Sequence, residues 1–260
     1  LWINCVYCYC SQPKFINSFF KHHSKMETSE TLISVVIPVF NEELTIGSVI
    51  ERIMEVMGKL GFKCEIIVVD DCSTDKSLDF SVRQGVKVYS LKSHMGKGYA
   101  LRAGFAKAKG EIITTIDSDG SHRPEELPLL LSPILQDAAD LVIGSRYLNQ
   151  NPAAAKKLNA VGVRLFNFLI KLLTRESFTD SQSGYRVMKA SVLRNMRLNS
   201  SGYEIESEMT VKTVRQGFKV REVPISFEQR TYGTSRLDPL IDGFRILMSI
   251  FSTYIRSGIG

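Results

Sequence analysis

At 260 residues the chain has room for one large α/β domain with a sizeable core. Its 44% apolar and 23% charged residues lie near the averages for folded soluble proteins, which excludes a disordered chain and a polytopic membrane protein. The 33 basic against 27 acidic residues give +6 and a pI near 9.0, a balance that suits an anionic partner such as nucleotide, phospholipid or nucleic acid without choosing among them.

In chain order, Leu1 to Lys25 carries no periodic pattern, and Met26 opens a charged lead-in to the first strand-like run. Residues 1–31 therefore read as an N-terminal extension, disordered or upstream read-through. Asn4, Ser11, Gln12 and Lys14 interrupt any apolar stretch that a signal peptide would need. Cys5, Cys8 and Cys10, with His22 and His23 downstream, lack the second Cys pair or the His spacing of a zinc site. No window reaches the roughly 18 uninterrupted apolar residues of a spanning helix.

From Ile33 to Gly144 short β-branched runs alternate with segments of helical period. Ser34–Val39 and Glu65–Asp70 read as buried parallel strands, apolar on both faces, and Ile46, Val49, Ile50, Ile53, Met57 and Leu60 between them mark a helix. A strand over Val86–Tyr89, a helix over Gly98–Lys109, a strand over Glu111–Ile116, a helix over Pro124–Leu135 and a strand over Leu141–Gly144 continue the alternation. An α/β fold with a mostly parallel open sheet and flanking helices is expected. After Arg146 a polar loop with Asn149, Asn151 and Pro152 leads to a long amphipathic helix over Leu158–Leu173, expected to cover the site. A helix over Glu204–Gln216, a strand over Phe218–Phe227 and a final helix over Leu240–Ile255 complete the chain. The division expected is a domain over 32–237 and an amphipathic helical segment over 238–260, interfacial or partner-docking.

The strongest chemical signal is Ile112-Ile-Thr-Thr-Ile-Asp117-Ser-Asp119-Gly120. A strand that ends in two aspartates one residue apart delivers both carboxylates to the carboxyl edge of the sheet, where open α/β folds bind ligands. Hard oxygens there suit Mg²⁺ or Mn²⁺ bridging to a diphosphate. A second acidic pair, Asp70-Asp71, ends an earlier strand where ribose hydroxyls or a base edge are bound in dinucleotide folds, and Asp75 reads as a helix cap. An oxidoreductase of the dinucleotide-binding kind is disfavoured, because no Gly-x-Gly-x-x-Gly follows the first strand.

Val36-Ile-Pro-Val-Phe-Asn-Glu42, Val68-Val-Asp-Asp71-Cys-Ser-Thr-Asp75, Gly96-Lys-Gly-Tyr-Ala-Leu-Arg-Ala-Gly104 and Asp117-Ser-Asp119 stand in the order and spacing of the inverting GT-A glycosyltransferases of family 2, which the chain resembles from about Leu32 onward. Within that family it is similar to the dolichyl-phosphate mannose synthases, through Ser121-His122-Arg-Pro-Glu-Glu, Val142-Ile-Gly-Ser-Arg146-Tyr, Asp180-Ser-Gln-Ser-Gly-Tyr-Arg186, Gly202-Tyr-Glu-Ile and Glu222-Val-Pro-Ile-Ser-Phe-Glu-Gln-Arg230-x-x-Gly-x-Ser-Arg236.

The resemblance implies a GT-A fold and transfer of mannose from GDP-mannose to dolichyl or another polyprenyl phosphate. Glucose from UDP-glucose is the alternative donor, and a catalytically silent binding subunit the rival from another class. Pro38, Phe40, Glu42, Val69 and Asp71 are then expected near the nucleotide and Asp117 and Asp119 on Mg²⁺ or Mn²⁺. Ser121 stands where the family often has a metal-site glutamine and is counted with them as a metal contact, though a shorter and weaker one. Arg146, Arg164, Arg186 and Arg230 match basic positions that serve the acceptor phosphate or donor diphosphate, and Arg236 replaces a usual lysine, which keeps the charge but changes its hydrogen-bond geometry. Arg164 also precedes Leu165–Ile170, whose apolar side suits an isoprenoid chain. A phosphomonoester, with a second pKa of about 6, is its own nucleophile, so His94 and His122 are not required as bases. A hydroxyl acceptor would point first to Asp180. The final helix puts Leu240, Phe244, Leu247, Met248, Phe251 and Ile255 on one face, fit for a membrane surface, a small membrane-spanning partner or the domain's own sheet. A peripheral position at the cytoplasmic face of a membrane is expected, with no nucleic acid.

Overall fold

The computed structural model describes residues 30–148, 157–228 and 238–256. The N-terminal cysteines, His22, His23, Arg230, Arg236 and the loop around Asn151 lie outside the described residues. Among the described residues seven strands, β1 (Leu32–Val39), β2 (Lys63–Asp70), β3 (Lys87–Ser90), β4 (Ile112–Thr115), β5 (Leu141–Ser145), β6 (Arg186–Lys189) and β7 (Val220–Pro224), form one sheet in the order β3-β2-β1-β4-β6-β5-β7. β1, buried from Ile33 to Val39, pairs in parallel with β2 and β4. The continuous apolar run of β1 is what a strand covered on both faces requires.

The helices among the described residues are α1 (Ile46–Leu60), α2 (Ser77–Arg83), α3 (Lys97–Phe105), α4 (Leu127–Leu135, after a 3₁₀ turn at Pro124–Glu126), α5 (Lys157–Thr174), α6 (Ala190–Arg194), α7 (Ile205–Arg215) and α8 (Ile241–Arg256). One core layer joins Val35 and Ile37 of β1 to Ile46, Ile50 and Ile53 of α1 and Leu130 of α4. Val36, on the opposite face, packs with Leu101 of α3, Ile113 and Met209 of α7. A satellite core of Phe166, Ile170, Val211, Ile246 and Ile250 holds α5, α7 and α8 together. The final helix thus packs on the domain through one face, while Phe244, Met248 and Ile255 on the other face are exposed.

The mostly parallel sheet expected from the sequence is present, with one strand that sequence pattern missed. β6 runs antiparallel between β4 and β5. Because it is reversed, its amino end meets the carboxyl ends of its neighbours, and the loop before it, residues 180–185, arrives at the same sheet edge as Asp117. The strand expected over 218–227 is regular only over Val220–Pro224, with Phe227 reaching His122 through an isolated bridge.

Candidate active site

The chain leaves β4 through Ile116 and places Asp117 partly open at the sheet edge, while Ser118 and Asp119 are buried. Gly120 takes φ 73, the left-handed region that a tight reversal needs. The turn is fixed from both sides. Thr45 Oγ1 donates to Ser118 O at 2.8 Å, and Ser121 donates to Asp119 Oδ1 through its backbone N at 2.9 Å and its Oγ at 2.6 Å. Ser121, expected among the metal contacts, in this geometry orients Asp119.

Asp117 sits in a cluster of charge drawn from four elements. Lys97 Nζ, at the first turn of α3, lies 2.6 Å from Asp117 Oδ1 and 2.8 Å from Glu206 Oε1 in the first turn of α7. His122 Nε2 stands 3.6 Å from Asp117 Oδ2. Burial works to raise the Asp117 pKa, but Lys97 and His122 outweigh it and hold the carboxyl far below its usual range. Burial likewise works to lower Lys97, and Asp117 with Glu206 keeps the ammonium protonated well above its ordinary value. Gly184, just before β6, leaves room for this contact: a Cβ there would stand 2.6 Å from Asp117 Oδ2 and 2.8 Å from Lys97 Nζ.

The expected arginines separate into two kinds. Arg146, just past β5, forks onto Asp180, with Nε to Oδ2 at 2.6 Å and Nη2 to Oδ1 at 2.8 Å, and lies over the rings of Tyr147 and Phe227. Asp180 is fully buried and raises the Arg146 pKa against the effect of burial. Arg164 is exposed on α5, near enough to Tyr147 to act on its phenol electrostatically. Arg186 is a correction. It is fully buried, and its guanidinium donates to the backbone oxygens of Ser181, Ser183 and Glu206 and to Thr210 Oγ1. Burial pulls its pKa down to about 10. All its nitrogens are engaged inside the protein, so it braces the 181–186 loop against α7 and is not presented to a phosphate.

At the tips of β1 and β2 the Phe40 ring stacks on His94, centroids 4.0 Å apart. Asp71 Oδ2 receives His94 Nδ1 at 2.9 Å and Gly96 N at 2.8 Å, and Asp71 Oδ1 receives Met95 N at 2.7 Å. Asp71 thus shapes the 94–96 loop that walls this end of the site. The Glu42 backbone N donates to Ser77 Oγ at 2.6 Å, tying the β1 tip to α2. Pro38 and Val69, partners in the β1–β2 register, are buried, so their side chains face the core. Asp75 accepts Ser77 N at 2.9 Å, the helix-entry role its sequence position suggested.

Sequence pattern missed Lys97 and Glu206 as site residues. Both lie inside quoted motif stretches or beside them, but only the fold brings them to Asp117. Gly96 and Gly98 are there for close packing, since a Cβ at either would stand 2.5 to 2.7 Å from the backbone oxygens of Ser201 and Ser200. The donor set fits a divalent cation of the Mg²⁺ or Mn²⁺ kind in its chemistry: two strand-tip carboxylates, one held ionised. Among the described residues no group of three or more His, Cys, Asp or Glu side chains could hold a metal ion. Further ligands would have to come from substrate or water.

Residues 34–197 match the family described as Glycosyl transferase family 2. Over 231 residues the chain is 32% identical to an undecaprenyl-phosphate mannosyltransferase of Micrococcus luteus, covering 81% of this chain and 89% of that protein. It is also 32% identical over 213 residues to a dolichol-phosphate mannosyltransferase of Pyrococcus furiosus, covering 79% of this chain and 59% of that longer protein. Among solved structures, glucosyl-3-phosphoglycerate synthase from Mycobacterium tuberculosis, in complex with Mn²⁺, UDP-glucose and phosphoglyceric acid, superimposes with a TM-score of 0.70 at 25% identity, covering 87% of this chain and 81% of that one.

Proposed function

This chain belongs to glycosyl transferase family 2, and from that premise we propose that it transfers a sugar with inversion from a nucleotide sugar to a polyprenyl phosphate, with GDP-mannose and dolichyl phosphate as the leading pair. The relatives named for polyprenyl-phosphate mannosyl transfer support this acceptor class. The observation that carries it is the state of the carboxylates. Asp180, the carboxylate to which a hydroxyl acceptor would point first, and its site neighbour Glu206 are each ion-paired to a cation and at most 2% exposed. A phosphate dianion needs no base.

In this reading an acceptor phosphate oxygen attacks the anomeric carbon from the face opposite the nucleoside diphosphate. The bond to the diphosphate oxygen breaks, and its electron pair leaves with the diphosphate. Asp117 and Asp119 would hold Mg²⁺ or Mn²⁺, which supplies neutralisation of the leaving charge when bound. Arg146, kept cationic and rigid by Asp180, orients the acceptor phosphate together with Arg164, as guanidinium groups do through paired N–H bonds. Phe40, Glu42 and the Asp71-braced loop bound the nucleoside end. No helix among the described residues is long and apolar enough to cross a membrane. Meeting the lipid from a peripheral position at the cytoplasmic face belongs to this reading, supported by the relatives named for polyprenyl-phosphate transfer.

The test is a donor-by-acceptor screen, GDP-mannose and UDP-glucose each against dolichyl phosphate and a water-soluble phosphorylated acceptor, with Mg²⁺ or Mn²⁺. Transfer to the lipid from GDP-mannose is expected; transfer only to the soluble acceptor would overturn the lipid assignment. Asp117→Ala should abolish turnover, and activity near wild type would refute the metal assignment.

A further inference from the structure

Lys97, Asp117 and Glu206 come from three separate elements, and their backbones are pinned where they meet. Gly96 and Gly98 press α3 onto the 200–202 segment, with Tyr99 N donating to Ser201 O at 3.1 Å. At the start of α7 the Glu206 carbonyl accepts Arg186 Nη1 at 2.9 Å and Thr210 Oγ1 at 2.8 Å. The Glu206 side chain is 3% exposed, and Gly184 closes the other side of the Lys97–Asp117 contact. One ammonium is therefore shared between two carboxylates, one of which belongs to the aspartate pair.

A lysine against Asp117 and a divalent cation on Asp117 compete for the same negative charge. A second carboxylate that divides the lysine's charge weakens its hold on the first. We propose that Glu206 is a positioning residue that draws Lys97 partly away from Asp117 and so sets the affinity of the aspartate pair for its divalent cation. The inference rests on the reading above that Asp117 and Asp119 bind the metal. It also assigns the Glu206 carboxylate a purpose other than proton abstraction, since its charge is committed to Lys97.

The experiment measures Mn²⁺ uptake by the full-length protein without donor, from the paramagnetic resonance of the free ion, for wild type, Asp117→Ala, Lys97→Met, Glu206→Gln and the double variant Lys97→Met/Glu206→Gln. Lys97→Met removes a competing unit charge at contact distance and should tighten Mn²⁺ on the order of tenfold. Glu206→Gln should loosen it several-fold, with the transfer lost at low Mn²⁺ recovered as Mn²⁺ is raised. Because Glu206 acts through Lys97, the double variant should bind as Lys97→Met alone does, a coupling that a general structural defect would not produce.

Additive effects in the double variant would overturn the proposal, since Glu206 would then act directly on the ion. So would a kcat loss of about a hundredfold or more at saturating Mn²⁺ in Glu206→Gln, the signature of a base. If Lys97→Met does not fold, as judged by its melt, Lys97→Gln takes its place in the cycle. Wild-type protein that takes up no more Mn²⁺ than Asp117→Ala would instead overturn the metal reading and this inference with it.

Discussion

Gly184 is the residue on which the geometry around Asp117 is most sensitive. A methyl group there would stand inside contact distance of both Asp117 carboxylate oxygens and Lys97 Nζ. Displacements of about 1 Å in a reacting site can cost about a hundredfold in rate. Gly184→Ala is thus expected to lower kcat/KM at least about tenfold while the far-ultraviolet spectrum stays native; an unchanged kcat/KM would mean that the pocket has slack. Arg146→Ala belongs to another class, because it leaves the fully buried Asp180 without its cation. Breaking one side of a buried pair typically costs about 3–5 kcal/mol, and denaturant melts should show a loss of that order, separate from the loss of turnover. The aspartate pair was legible in the sequence because the two residues are near neighbours on one strand tip. Lys97 and Glu206 were not, since only the packing of α3 onto the 200–202 segment that leads into α7 makes them a pair. Arg186 matched a phosphate-binding pattern, yet its burial shows that a motif position records a residue type without recording which way it points.

Among elements, the parallel strands were readable because double-sided burial writes long apolar runs such as Ser34–Val39. β6 was not, for Arg186-Val-Met-Lys189 is four residues long and opens with a buried cation. Its reversed direction comes from pairing with β4 and β5, which no local pattern encodes. β1, β2 and β3 are joined by a feature equally invisible to periodicity: Glu65 on β2 accepts Ser34 Oγ of β1 at 2.5 Å, Lys87 Nζ of β3 at 2.5 Å and Lys109 N at 2.6 Å. Burial works to raise the Glu65 pKa, but Lys87, Ser34 and Lys109 N together hold it below its usual value. A carboxyl depressed in the fold stabilises it above the unfolded pKa, about 4.3 for glutamate, and that contribution fades as pH falls through the folded value. Thermal melts should therefore show wild type more stable than Glu65→Gln at pH 6, with the gap closing as the pH falls below about 4. A gap independent of pH would assign the difference to packing.

At the scale of the whole molecule, two neighbouring helices turn apolar side chains outward. Val161, Leu165, Phe168 and Leu172 of α5, and Ile241, Phe244, Met248, Phe251 and Ile255 of α8, are exposed at helical spacing, while the opposite faces pack into the shared core of Phe166, Ile170, Ile246 and Ile250. The final helix was expected to have one such face, and on the helix read as a cover for the site Leu165–Ile170 was expected to turn an apolar side toward an isoprenoid chain; the exposed stripe runs further, from Val161 to Leu172. Exposed cations accompany them, Arg164, Lys171 and Arg175 beside α5 and Arg245 and Arg256 on α8. Apolar area with basic flanks is the composition that holds a helix in the headgroup region of an anionic bilayer, and it suits a protein proposed to draw its acceptor from one. Vesicles containing anionic lipid should accordingly bind the protein more tightly than neutral ones, and added salt should weaken the difference. Phe168 and Phe244 are 61% and 66% exposed, so Phe168→Glu/Phe244→Glu removes little from the fold and its melting temperature should stay within a few degrees of wild type. Vesicle partitioning should fall tenfold or more, since about 1.4 kcal/mol, less than one buried phenylalanine contributes, is enough for that factor. Activity toward a short-chain, water-soluble polyprenyl phosphate should survive the change, which separates a surface that finds the membrane from one that takes part in the chemistry.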